Sequence, residues 1–460
     1  MDMKLAVVIL AAGQGSRMHS ATPKVLHKIA GVSLLHHVIT AARGLLPDQI
    51  IIVHGHAGDI VQDACQDPDL IWVEQEEQLG TGHAVQCALP ALAADIDRVL
   101  VLYGDVPLIQ PETLKKLLRK SVSGLGLLTL TLDEPNGYGR IRRHSSDGRV
   151  LEIIEQKDAT PDQLEIHEVN TGIMVLPVSR LSDWLSHLSN TNHQHEYYLT
   201  DVVAMAVAEG LSIQVDQPQH EIEAAGVNNR KQLAQLERAK QRMQADDLMM
   251  KGVTLQDPDR FDLSGRLLHG QDCMIAPNVI CEGEVILGDR VQIGANTVLR
   301  NVRIASDTQI AEHCVLEEAV IGQNSQVGPF ARIRPGTQLA QSTRVGNFVE
   351  IKKSQIGRGS KLNHLAYVGD SEIGQNVNLG AGTITCNYDG VNKHKTVIGD
   401  NVFVGSNSSL IAPINIGQGA TIGAGSVLSH SAPAGALTLT RGQKQTLPDW
   451  KRPQKAKDRG

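Results

Sequence analysis

The sequence predicts an α/β protein in two parts, a layered sheet flanked by helices and then a parallel β-helix of hexapeptide repeats. Three observations carry this. Short continuous apolar runs alternate with helical patterns through the first part of the chain. Aliphatic residues recur at about every sixth position through the second part. Glycine is abundant at 43 residues while aromatic rings make up only 3%, a bias that needs an architectural cause.

In chain order, "AVVIL" (6–10) is a buried strand leading into a glycine turn, and residues 33–45 follow as a helix. "QIIIVHG" (49–55), "LIWVEQ" (70–75) and "RVLVLYGD" (98–105) are further strands, the last followed by the helix "PETLKKLLRK". Continuous apolar strands separated by helices indicate a parallel sheet covered on both faces. From about residue 125 the pattern becomes strand-rich, with "LGLLTLTL", "RVLEIIE" and "GIMVLP" adding a mixed portion. Residues 228–252 place Leu233, Leu236, Met243 and Leu248 near helical spacing and end at Gly252. The expected division is therefore a first domain over 1–229, a linker helix over 230–252 and a repeat domain over 253–460.

In the repeat domain the series runs Leu287, Ile293, Leu299, Ile304 and Ile310, then from Ile321 through Ile333, Val345, Ile351, Leu362, Val368 and Leu379, and from Ile398 through Ile422 to Leu428. A step of six fits neither an amphipathic helix nor an ordinary strand. Three hexads close one triangular coil whose aliphatic residues point inward. Roughly eight or nine coils at ~4.8 Å each give a prism about 40 Å tall. A narrow interior explains the scarcity of rings, and flat faces suit a symmetric oligomer.

At 460 residues the chain exceeds one ordinary core. A net charge of −7 argues against a protein that coats nucleic acid, so any anionic ligand must meet local basic clusters. Six scattered cysteines form no C-x-x-C pair, which fits a reduced, cytoplasmic setting rather than zinc or disulfides. The "LAVVILAAG" start imitates a signal peptide, but cleavage near Ala12 would remove the strand that the glycine turn needs. No apolar run is long enough to span a membrane.

"LAAGQGSRMHSATPK" (10–24) follows the first strand. It is not a dinucleotide fingerprint, because Met18 stands where a third glycine belongs, and it lacks the Gly-Lys-Ser/Thr of a P-loop. Turn chemistry accounts for Gly13 and Gly15 but not for Arg17 and Lys24. Backbone N–H groups there can cradle phosphate oxygens, and Arg17 and Lys24 can neutralise their charge. In "LYGDVP" (102–107), Asp105 is either a turn residue before Pro107 or a hard oxygen ligand for Mg²⁺ at a strand's C-terminal end.

The spacing L-x-x-G-x-G-[ST]-R-M followed by Pro-Lys resembles the signature of sugar-nucleotide pyrophosphorylases, with Ser16 where the family often has Thr. With "YGR" (138–140), "IIEQKDA" (153–159), "VNTG" (169–172) and "GVNNR" (226–230), the first half resembles the uridylyltransferase part of the bifunctional N-acetylglucosamine-1-phosphate uridylyltransferase/glucosamine-1-phosphate N-acetyltransferases. The resemblance implies a Rossmann-like nucleotidyltransferase domain. It assigns Leu10, Ala11, Ala12, Gly13, Lys24, Gln75, Gly80, Thr81, Tyr103 and Gly104 to the uridine nucleotide, and Gly139, Glu155 and Asn170 to the sugar. It gives the metal to Asp105 and Asn228. The implied chemistry is in-line attack of N-acetylglucosamine 1-phosphate on the α-phosphorus of UTP, mostly by positioning and charge neutralisation.

The prism half gathers Arg332, Arg334, Lys352, Lys353, His364 and Tyr367 in "FARIRPG", "NFVEIKKS" and "NHLAYVGD". Residues about 18 apart stack on successive coils, so Arg334 and Lys352, with no nearby acid in register, repel unless an anion, such as a sugar phosphate, lies between them. A solvated basic face is the competing reading. His364 suits a general base, because histidine is the side chain whose ordinary range lies close to physiological pH. The rhythm fails at 384–397, which is expected to leave the prism as a loop.

By resemblance to the acetyltransferase half of the same family, the prism is a left-handed parallel β-helix. Arg334, Lys352, Tyr367, Asn378, Asn387 and Tyr388 would bind glucosamine 1-phosphate, and Ala381, Ser406, Ala424 and Arg441 acetyl-CoA. His364 would take a proton from the attacking amine. The family's prisms trimerise, with acetyl sites between chains, and the two reactions make UDP-N-acetylglucosamine for bacterial envelope polysaccharides. Two alternatives stand beside this: a nucleotidyltransferase whose prism only trimerises or regulates, and a non-enzymatic scaffold that binds nucleotide. The pairs His54/His56 and His193/His195 lack an evident third metal ligand, and the basic tail "KRPQKAKDRG" reads as a solvated terminus with no nucleic acid or membrane partner.

Overall fold

A computed structural model describes residues 3–13, 15–55, 58–442 and 444–452. His56 and tail residues 453–460 lie outside them. The chain divides into two compact units, Met1–Gln244 and Ala245–Gly460.

The first unit is built on a mixed sheet whose main order is Ile213–Asp216, Leu125–Thr131, Glu168–Pro177, Arg98–Tyr103, Leu5–Leu10, Gln49–His54 and Leu70–Glu74. Leu5–Leu10 pairs in parallel with both neighbours, Ala6 opposite Gln49 and Leu5 opposite Arg98. These strands carry Val, Ile and Leu at consecutive positions because both faces are covered. Val8, Val53 and Val101 enter one core cluster; Ile9, Ile52 and Leu100 enter the other. Glu168–Pro177 runs antiparallel between Arg98–Tyr103 and Leu125–Thr131. The chain leaves Leu5–Leu10 toward one edge and returns on its other side at Arg98–Tyr103. That makes a topological switch point at the C-terminal ends of these strands, where such sheets form a crevice. The Gly104 N–H donates to Leu10 O at 2.9 Å and joins the two strand ends. The Arg230–Met250 helix begins in this unit, with Leu236 buried against Met18, Ile29 and Leu34.

In the second unit, short parallel strands stack coil upon coil. One face is an eleven-stranded sheet, and the other two are joined in a seventeen-stranded one. Val327 stands opposite Val345, and Ile333 opposite Ile351. Every aliphatic residue of the six-step series named above is buried. Eleven strands on one face exceed the eight or nine coils expected. The coils start before Leu287, at Thr254–Leu255 and Met274–Ile275, where Phe261 and Cys281 occupy buried places and hide the aliphatic rhythm. The excursion at 384–397 is also shorter than expected. Ile384–Cys386 and Thr396–Ile398 remain strands, and Thr385 takes the inward place with its hydroxyl accepting from Gly369 N at 2.8 Å. No helix among the described residues is long and apolar enough to cross a membrane.

Candidate functional site

At the switch point lies a cavity of about 340 Å³, lined by Leu10, Ala11, Ala12, Gly13, Lys24, Gln75, Gly80, Thr81, Tyr103 and Asp105 from the expected set. Its lining also includes Val25, Gln78, Ala84 and Glu196, which the sequence reading did not single out. Gln78 donates from Nε2 to Ala12 O at 2.7 Å and so fastens the first turn to the 75–81 segment. Gln75 is buried and donates to Gly80 O at 3.1 Å. Gly80 has a φ of 112°, and a Cβ there would lie 2.7 Å from Tyr197 O, so no side chain fits. Burial pushes the Tyr103 hydroxyl well above the ordinary phenol range, so it stays protonated.

In the lining, Lys24 is ion-paired with Asp105, and its Nζ also reaches Asn228 Oδ1 at 3.5 Å. Arg17 donates to the same Asn228 oxygen at 3.2 Å. Val227 N–H bonds to Asp105 O at 2.9 Å, which holds the following Asn228 close to the end of the Arg98–Tyr103 strand. Two cations and two oxygen donors thus meet at one place.

The remaining expected residues of this unit form a second group. Asn170 N donates to Gly139 O at 2.8 Å, and a Cβ on Gly139 would lie 3.4 Å from Glu155 Oε1. Burial pushes the Glu155 carboxyl up, and the carboxylates of Asp201, Asp158 and Glu196 add to this; the Thr200 hydroxyl, donating at 3.0 Å, opposes it.

On the prism, Tyr367 and Glu350 are neighbours in register, as are Lys352 and Gly369. A Cβ on Gly369 would meet the Tyr367 hydroxyl at 2.5 Å and Asn387 Nδ2 at 2.6 Å, so both polar groups lie over this glycine. Asn387 is buried and donates to Asp370, whose carboxylate also lies 3.7 Å from Lys352. Arg334 bonds Glu350 at 2.8 Å. The expectation that Arg334 and Lys352 stack without an acid in register is therefore corrected. Glu350 and Asp370 come from adjacent coils and neutralise them, so repulsion does not demand an anion.

A separate column rises at one corner. Leu365 N donates to Asn347 O, Gly382 N to His364 O, Asn407 N to Ala381 O and Gly425 N to Ser406 O. Asn347, His364, Ala381 and Ser406 thus stack one per coil. Ala424 continues them, its N 2.5 Å from where a Cβ on Gly405 would stand. His364 Nδ1 lies 2.9 Å from Asn347 Oδ1. A proton shared there leaves Nε2 with its lone pair. Asn378 stands on the eleven-stranded face between Lys361 and Phe403, away from Arg334 and Tyr367. Tyr388 projects from the loop under Lys393, whose Nζ is 3.7 Å from the ring centroid. Arg441 is exposed beyond the Leu437–Thr438 strand. His193 pairs with Asp158 at 2.8 Å, and among the described residues no group of three His, Cys, Asp or Glu side chains is placed to hold a metal.

Comparisons with known proteins fall on both units. Residues 7–135 match the MobA-like NTP transferase domain, 263–344 the GMPPB C-terminal domain and 395–430 the hexapeptide repeat of succinyl-transferase. The bifunctional protein GlmU of Chromobacterium violaceum is 54% identical over 98% of this chain and 99% of its own. That of Marinobacter nauticus is 55% identical over 98% and 99%, and that of Acinetobacter baylyi 54% over 99% and 100%. A solved nucleotidyl transferase from Methanothermobacter thermautotroptrophicus aligns at 18% identity over 53% of this chain and 100% of its own, with a TM-score of 0.39.

Proposed function

The chain belongs to the bifunctional GlmU family, and from that premise we infer that it transfers acetyl from acetyl-CoA to glucosamine 1-phosphate and then uridylyl from UTP to N-acetylglucosamine 1-phosphate. The observation that carries this reading is that the likeness runs through both units, each of which holds its own polar cluster. A prism serving only as a trimerising element has no use for His364 in its corner column or for a Lys352–Asp370–Asn387 group.

We assign uridylyl transfer to 1–229 and acetyl transfer to 253–460. In the first, an oxygen of the sugar phosphate attacks the α-phosphorus, the α–β bond breaks, and pyrophosphate leaves. Arg17 and Lys24 balance the charge on the leaving group. Gln75, Gly80 and Thr81 hold the base, and Gly139, Glu155 and Asn170 the sugar. Asp105 and Asn228 suit Mg²⁺: they are hard oxygen donors close enough together for one ammonium, that of Lys24, to reach both. When bound, Mg²⁺ supplies further neutralisation of phosphate oxygens.

In the second reaction the glucosamine amine attacks the thioester carbonyl, the carbon–sulfur bond breaks, and coenzyme A leaves. His364 Nε2 accepts the amine proton. Arg334, Lys352, Tyr367, Asn387 and Tyr388 hold the sugar phosphate. The small side chains of Ala381, Ser406 and Ala424 leave room along the corner for an elongated donor, with Arg441 near its end. The placement of Asn378 and this corner column apart from the Arg334 side supports a site completed by a second copy in a homotrimer. A cytoplasmic location accords with these substrates.

The test is to assay the purified chain for pyrophosphate release from UTP with N-acetylglucosamine 1-phosphate, and for coenzyme A release from acetyl-CoA with glucosamine 1-phosphate. Absence of either activity in folded protein overturns the two-reaction reading.

A further inference from the structure

Residues 197–200 touch both halves of the nucleotide site. Tyr197 N donates to Leu79 O at 2.7 Å, Gly82 N to Tyr197 O at 2.8 Å, and Leu199 N to Thr81 Oγ1 at 3.1 Å. The 79–82 turn is thereby clipped to this segment on both sides of Gly80. At the other end, Thr200 donates from Oγ1 to Glu155 Oε1 at 3.0 Å. Tyr198 donates to Asp158 Oδ2 at 3.3 Å, and Asp158 N bonds back to Glu155 O at 3.0 Å. The Glu155–Asp158 turn is therefore held at both its ends. Thr200 is only 6% exposed, so its hydroxyl makes this bond out of competition with bulk water.

We propose that the Tyr197–Thr200 segment is a strap that sets the base half-site and the sugar half-site at a fixed separation, and that Thr200 is a positioning residue aiming the Glu155 carboxylate at the sugar. This rests on the assignment of Glu155 to the sugar made above. The partly buried Glu155 carboxylate, with Asp158, Glu196 and Asp201 near it, is pushed toward neutrality, and the Thr200 hydroxyl is the contact that favours its charged form. Without that donor the carboxylate is free to turn, and the sugar phosphate loses an oriented acceptor. The backbone clip on the 79–82 turn uses no Thr200 side-chain atom, so the base half-site stays in place.

The experiment is steady-state kinetics of uridylyl transfer by the full chain carrying Thr200→Val, Thr200→Ala, Thr200→Ser or Glu155→Gln. The expected result is a KM for N-acetylglucosamine 1-phosphate raised about tenfold in Thr200→Val, as for a lost bond to a charged group, with the KM for UTP changed less than twofold. Thr200→Ser keeps the donor and restores the parent KM. Thr200→Ala removes the donor without adding a methyl to the buried site, and serves if melting shows that Thr200→Val does not fold. Unchanged sugar-phosphate KM in the donor-less variants, equal rises in both KM values, or failure of Thr200→Ser to rescue overturns the positioning role. An unchanged sugar-phosphate KM in Glu155→Gln instead overturns the assignment of Glu155 on which the role depends.

Discussion

Lys24 and Asp105 form an ion pair with side chains only 12% and 18% exposed, and Lys24 also reaches Asn228. Two residues 81 apart in sequence are thereby brought to one point in the lining of the cavity.

Asp105→Ala leaves the largely buried Lys24 ammonium without its carboxylate partner and removes one of two oxygen donors. The expected outcome is loss of uridylyl transfer by at least about a thousandfold, as for removal of a charge-positioning group. Acetyl transfer by the same protein stays within twofold. Pyrophosphate and coenzyme A release, measured on one preparation, check both halves of this statement.

His364→Ala has the reverse pattern, abolishing acetyl transfer and sparing uridylyl transfer. Asn347→Leu is expected to lower acetyl kcat about tenfold, because the 2.9 Å contact at Nδ1 orients the ring and leaves Nε2 as the acceptor. A normal acetyl kcat in Asn347→Leu would mean that the ring is oriented by something else.

Asp216 is almost fully buried and takes Lys116 at 2.9 Å and Lys120 at 2.8 Å. Burial pushes its carboxyl up, but the two ammonium groups outweigh this and hold it below the ordinary carboxylate range. A depressed folded pKa contributes stability that is present above the unfolded pKa and is lost as pH falls through the folded one. Asp216→Asn should therefore lower the melting temperature of the first unit by about 2–4 °C at neutral pH, the two lysines being about half exposed. The gap between the two proteins should close under acid. A gap that widens on acidification contradicts the sign of this linkage.

Burial pushes the Cys281 thiol up to about 12 and the Cys314 thiol up to about 11. Neither should react with a thiol-specific disulfide reagent at pH 8 in native protein, and both should react at once in guanidinium chloride. Mass spectrometry of labelled peptides resolves them individually, and fast native labelling of either would show that the coil around it opens.

The repeat domain was legible along the chain because its order is local. Each coil puts an aliphatic residue inward at every sixth place, and that residue contacts its counterparts one coil above and below. The rhythm failed where Phe261, Cys281 and Thr385 took inward places, since a buried ring, thiol or hydroxyl does not look aliphatic. The strands of the first unit were readable as continuous apolar runs, and the glycine turn was readable from its spacing. Sheet order was not: nothing in "GIMVLP" announces an antiparallel strand inserted between two others, because pairing depends on which partners meet in space. Glu350 and Asp370 beside Arg334 and Lys352 escaped notice because the acids come from neighbouring coils rather than from the same register position. Residues 197–200 carry no motif at all. Their bonds to the 79–82 turn run mainly through backbone N–H and C=O groups, which every residue type supplies alike. Periodicity and side-chain chemistry are written in the order of residues; convergence through the main chain exists only once distant segments have packed.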